Sequence, residues 1–78
     1  METILVGEKD TNEYVEEAKA KLNEGNEVEL KAYSRDTVKA VDIAELLKIE
    51  GFKTKDIKIE TEEKEEKRIS LIKIQMEK

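Results

Sequence analysis

The order of hydrophobic patterns along the chain predicts an α/β fold with the elements β-α-β-α-β-β. Three observations carry that prediction. Apolar and polar residues alternate at 27–33, 55–61 and 68–76, the period of two expected of half-buried strands. Two other stretches place apolar residues at helical spacing, and a glycine follows each. A short aliphatic run, Ile4-Leu5-Val6, ended by Gly7, supplies the first strand.

The first helix starts at Asp10. With Glu13 three residues later it reads as a capping-box-like signal, Asp replacing the usual Ser or Thr. Tyr14, Val15, Ala18 and Leu22 then share one arc of about 100°, a single apolar stripe, and Gly25 ends the helix. In "EVELKAY" (27–33), Val28, Leu30 and Ala32 face one way; Glu29, Lys31 and Tyr33 face the other. Ser34 or Asp36 can cap a second helix running to about Glu50, with Gly51 at its end. The strands 55–61 and 68–76 are joined by "EEKEEK", too polar to bury and short enough for a hairpin turn.

The second helix is the less orderly one. Ala40, Ile43, Ala44 and Leu47 make one apolar arc, but Val38, Leu46 and Ile49 lie outside it and Val41 lies on a further side. One sheet covers only one side of a helix, so these residues point to a second buried contact; scattered surface hydrophobes are the plainer alternative.

Seventy-eight residues allow one domain, 1–78, whose core is marginal enough for burial between subunits to help. Hydrophobic residues are 37% and charged residues 45%, close to disorder-prone composition but patterned for folding. No apolar run approaches membrane-spanning length, and the N-terminus lacks the basic and apolar regions of a signal peptide, so neither membrane nor export is expected. The absence of cysteine excludes disulfides and thiolate chemistry and fits a reducing cytoplasm. Having no Cys or Pro, few Asn or Gln, and many Glu and Lys, the chain resembles a thermophile's protein; a designed sequence would share these traits. There is no histidine, and Ser34 and Ser70 have no evident base, so no enzymatic activity is expected, nor any cofactor, metal or small-molecule substrate.

Against a net charge of −5, "KAYSRDTVKAVD" (31–42) stands out. Lys31, Arg35 and Lys39 surround Tyr33, and only Asp36 opposes them, giving +2 over residues 31–39. Such cations neutralise phosphates and release counterions. A helix N-terminus beside Ser34 and Arg35 adds N–H donors, and an outward Tyr33 offers a face for an unpaired base. The alternative is ordinary solvated charge, with Tyr33 covering an apolar neighbour. "ETEEKEEKR" (60–68) reads as a solvated hairpin tip. It lacks the spaced Asp residues and internal Gly of a hard-cation loop.

The blocks "ILVGEKDTNEYV", "LNEG", "KAYSRDTVKAVD" and the late "RISLIKI", in that order and spacing, resemble the Alba family of archaeal chromatin and RNA-binding proteins, as a short, acidic member. The resemblance implies two helices on one face of a four-stranded mixed sheet, similar to the C-terminal domain of translation initiation factor three. It also implies a homodimer that lays a basic surface and a hairpin arm on duplex DNA or RNA. By position, the family's lysine pair falls on Glu8 and Lys9, its Arg-Gly-Arg segment on Tyr33, Ser34 and Arg35, and its second-helix lysine on Lys39. Its basic arm is short and acidic here, with Glu60, Glu62, Glu63, Glu65 and Glu66 against Lys64, Lys67 and Arg68. Phe52 falls near an aromatic used between dimers.

Two functions follow as expectations. One is a weak, sequence-independent nucleic-acid-binding homodimer, cytoplasmic and chromosome-associated if on DNA. It would use Lys9, Lys31, Tyr33, Ser34, Arg35 and Lys39, with Val38, Leu46, Ile49 and Phe52 at subunit contacts. The other is an Alba-fold structural or protein-interaction module that has lost most nucleic-acid binding.

Overall fold

The computed structural model describes residues 1–78. The elements are β1 (Glu2–Leu5), α1 (Thr11–Gly25), β2 (Glu27–Tyr33), a 3₁₀ turn (Ser34–Asp36), α2 (Thr37–Ile49), β3 (Lys53–Lys64) and β4 (Lys67–Glu77). The β-α-β-α-β-β order is as expected. The strands form one mixed sheet, β1-β2-β4-β3. β1 pairs parallel with β2, while β4 pairs antiparallel with β2 and with β3.

Both helices cover one face. Tyr14, Val15, Ala18 and Leu22 of α1 and Ala40, Ile43, Ala44 and Leu47 of α2 are buried, the same residues that the helical arcs singled out. They meet the inward residues Ile4, Val28, Leu30, Ala32, Ile72, Ile74 and Met76 in one core, with Phe52 packed at its edge. Burying each of the Val, Leu, Ile and Met side chains among them stabilises by about 1.5–3 kcal/mol.

The helix ends depart from expectation. Asp10 precedes α1, but its side chain makes no cap; its backbone carbonyl accepts from the amides of Glu13 and Tyr14 instead. Gly25 remains helical, and Asn26 (φ 68°) takes the left-handed position, its N–H donating to Leu22 O. Neither Ser34 nor Asp36 caps α2 through its side chain. The chain enters α2 through the 3₁₀ turn, with Ser34 at φ 44° and Ser34 O accepting from the Thr37 amide. At the far end Gly51 (φ 101°) is left-handed. Its amide donates to Lys48 O and that of Phe52 to Leu47 O, a paired closure that draws Phe52 onto the core.

Two features of the β3/β4 hairpin were not foreseen. The turn is only Glu65-Glu66, so the ladder runs to Lys64↔Lys67. Both residues have positive φ, 48° and 68°, conformations usually given to Asn or Gly in a two-residue turn. Residues 61–70 thus project beyond the end of β2 as an arm. The register also skips between Thr54 and Asp56, leaving Lys55 in a bulge, where it pairs with Glu27 at 2.6 Å. Plain alternation from Thr54 would turn Ile57 and Ile59 to the open face. The bulge keeps them beside Ile74 and Ile72, on the helix side.

Candidate nucleic-acid interface

β1 and β2 run parallel, so their carboxyl ends emerge on the same side of the sheet. The amide of Val6 donates to Lys31 O at 2.8 Å and carries the pairing up to the two loops that follow. Gly7–Lys9 and Ser34–Asp36 therefore sit side by side.

The cations differ in freedom. Arg35 is exposed and makes no ion pair. Lys9 pairs with Glu17 at 3.2 Å, and its ammonium lies 5.1 Å from the centre of the Tyr14 ring. Lys39 is half-buried, and its ammonium donates to Gly7 O at 2.7 Å and Lys9 O at 2.9 Å. Ser34 is exposed on the 3₁₀ turn, which takes up one of the amides expected to be free at the start of α2.

Lys31 and Tyr33 point to the open face of the sheet, as the alternation requires. The Lys31 ammonium stands 5.4 Å from the centre of the Tyr33 ring. The neighbouring Tyr33, and more weakly Glu62 and Glu29, raise its pKa above the ordinary lysine value. Tyr33 lies directly opposite Leu71, which is only 1% exposed although it faces away from the helices. Register also aligns Lys31, Lys73 and Lys58 in one row across β2, β4 and β3. The sequence reading missed this row because only strand pairing creates it. Glu29 and Asp56 stand in the adjoining row, and Glu60 pairs with Lys73 at 3.5 Å, so the open face alternates in charge.

The subunit-contact candidates divide as well. Val38 (69% exposed) and Ile49 (80%) stand on the outward ridge of α2. Leu46 instead lines an acidic depression with Asp10, Asp42 and Glu45, beside the start of α1. Phe52 is half-buried on the core. Ile57 (54%) and Ile59 (76%) on β3 add exposed apolar surface on the helix side, and Val41 on α2 is partly exposed.

The sequence profile of the Alba family matches residues 2–61. The chain belongs to the Alba family. Alba from Thermoplasma volcanium is 31% identical, with 97% of this chain and 99% of that one aligned at a TM-score of 0.85. The crystal structure of ALBA1 from Trypanosoma brucei superposes with a TM-score of 0.88 at 24% identity, over 97% of this chain and 68% of that one, and shares the fold. Family membership does not by itself make the chain archaeal, since one of these relatives is from a trypanosome. Alba is generally a non-enzymatic binding family with a nucleic-acid-binding fold, and its members form oligomers.

Proposed function

We propose that the protein is a non-enzymatic, sequence-independent and weak binder of nucleic acid that acts as a homodimer and favours RNA or single strands over duplex DNA. It is cytoplasmic, and associated with the chromosome where its ligand is DNA. The observation that carries this reading is the convergence of the Lys9 loop and the unpaired Arg35 at the carboxyl ends of β1 and β2. Lys9, Lys31, Ser34, Arg35 and Lys39 form the polar interface, and Tyr33 offers a stacking face. The preference arises because a tyrosine contributes a ring where an arginine would contribute charge. Stacking is worth about 1–3 kcal/mol per unpaired base and nothing on a closed duplex. The acidic arm and α1, which is net −2 over residues 12–24, lower long-range attraction to a duplex.

The second reading, an Alba-fold interaction module with little nucleic-acid affinity, draws support from the engagement of Lys9 by Glu17 and of Lys39 by carbonyls. Two substitutions separate the readings. Arg35→Ala is expected to lower the salt slope of binding by about one unit. Tyr33→Ala is expected to weaken binding of a single strand by about 1–3 kcal/mol and to leave duplex binding nearly unchanged. An equal loss on both ligands would make Tyr33 a cover for Leu71, and an unchanged slope in Arg35→Ala would favour the interaction module.

A further inference from the structure

The loop after β1 is held by more than its covalent ends. The amides of Gly7 and Lys9 converge on the Tyr14 hydroxyl, at 2.7 and 3.3 Å. The carbonyls of the same two residues converge on the Lys39 ammonium, at 2.7 and 2.9 Å. Tyr14 comes from α1 and is buried, while Lys39 comes from α2. The backbone of Gly7–Lys9 is thus clipped to both helices, donors on one side and acceptors on the other.

Glycine does not do this work. A Cβ at Gly7 would meet the Tyr14 hydroxyl at 3.6 Å, an ordinary contact, and Gly7 does not have positive φ. Loops normally leave such backbone groups to water. A charged donor engaging two carbonyls forms the stronger class of hydrogen bond, and two of the three ammonium N–H groups are committed to it. Tyr14 also guides the Lys9 side chain, whose ammonium lies against its ring and is fixed by Glu17 from the same helix.

We propose that Tyr14 and Lys39 are positioning residues of the interface. Together they fix the backbone of Gly7–Lys9 and so determine where Lys9 meets a phosphate, and Lys39 acts through that loop rather than as a phosphate ligand itself. This rests on the nucleic-acid-binding reading above. It reassigns Lys39 from the direct contact implied by its place in the basic island.

The test compares Tyr14→Phe, which keeps the ring and every charge, with Lys39→Met and Lys39→Arg. Amide hydrogen exchange is read in the free protein, and affinity for single-stranded RNA is read across a salt series. In Tyr14→Phe and Lys39→Met the Gly7 and Lys9 amides should exchange at least about tenfold faster, with core amides such as Leu30 unchanged. RNA affinity should fall several-fold with the salt slope kept at the unmodified value, because no phosphate contact is removed from the count. Lys39→Arg, which still offers donors to the carbonyls, should recover most of both losses. Unchanged exchange in Tyr14→Phe and Lys39→Met would overturn the proposal. So would a slope lowered by about 0.7 in Lys39→Met with the loop amides still protected, since on a single strand that is the signature of a lost phosphate contact. If the unmodified protein binds no nucleic acid, the proposed function fails, and the exchange rates still uphold or refute the clip.

Discussion

Replacing Ile49 and Ile59 together by aspartate is expected to convert a dimer of about 18 kDa, twice the 9.0 kDa chain, into a folded monomer. The two residues are 80% and 76% exposed, so neither supports the fold of its own subunit. α2 packs over β4 and touches β3, which brings the α2 ridge and the exposed isoleucines of β3 onto neighbouring surfaces. An apolar surface shared by a helix and a sheet edge is unusual on a small monomer and suits a self-complementary contact. Burying an aliphatic side chain of this kind contributes roughly 1.5–3 kcal/mol. A symmetric dimer holds each residue twice, so the four losses should weaken association by about 6 kcal/mol or more, over four orders of magnitude in dissociation constant. Light scattering at micromolar concentration decides it. A mass of 9.0 kDa for the unmodified protein, or a dimer that survives both aspartates, would refute the interface.

Leu30→Ala is expected to destabilise the fold by about 2–5 kcal/mol. Leu30 is fully buried in the central region of the sheet, opposite Ile4 on β1 and Ile74 on β4. A chain of this size has roughly 4–12 kcal/mol in total, so the variant loses a large fraction of its stability. The midpoint of thermal unfolding should drop by roughly 10–40 °C. The proposed dimer would stabilise the fold by mass action, so both midpoints are expected to rise with protein concentration. A loss below about 1 kcal/mol would show that the sheet tolerates a cavity beneath the helices, contrary to the packing described.

Much of the fold could be read from residue spacing because burial imposes a period. The eight buried residues of α1 and α2 follow the helical arcs, and Val28, Leu30 and Ala32 follow the alternation of β2. The features missed depend on pairing or on backbone geometry. Asn26 rather than Gly25 turns left-handed, since both residue types tolerate that conformation and spacing does not choose between them. The Lys55 bulge leaves no mark in "KTKDIKI", which reads as ordinary alternation, yet it decides the face on which Ile57 and Ile59 stand. The hairpin tip closes on two glutamates, where sequence rules look for Asn-Gly.

The candidate interface was legible as a set of residue types and not as a set of roles. Lys31, Arg35 and Lys39 look alike in sequence. In the fold one lies beside a tyrosine ring, one is unpaired, and one is bonded to carbonyls of residues 30 and 32 positions away. Those carbonyls belong to backbone, which carries no sequence signal for a side-chain partner. Leu71 carries no separate signal in the sequence; strand pairing sets it opposite Tyr33, and it is buried although it stands on the open face.

The most direct measurement is the affinity of the unmodified protein for single-stranded RNA, single-stranded DNA and a duplex of equal length, each followed by fluorescence anisotropy across a salt series. Binding to all three is expected at low salt, with affinity falling linearly on logarithmic axes as salt rises, and the single strands bound more tightly than the duplex. Absence of salt-dependent binding to any of the three would contradict it and leave the Alba-fold interaction module as the function of the chain.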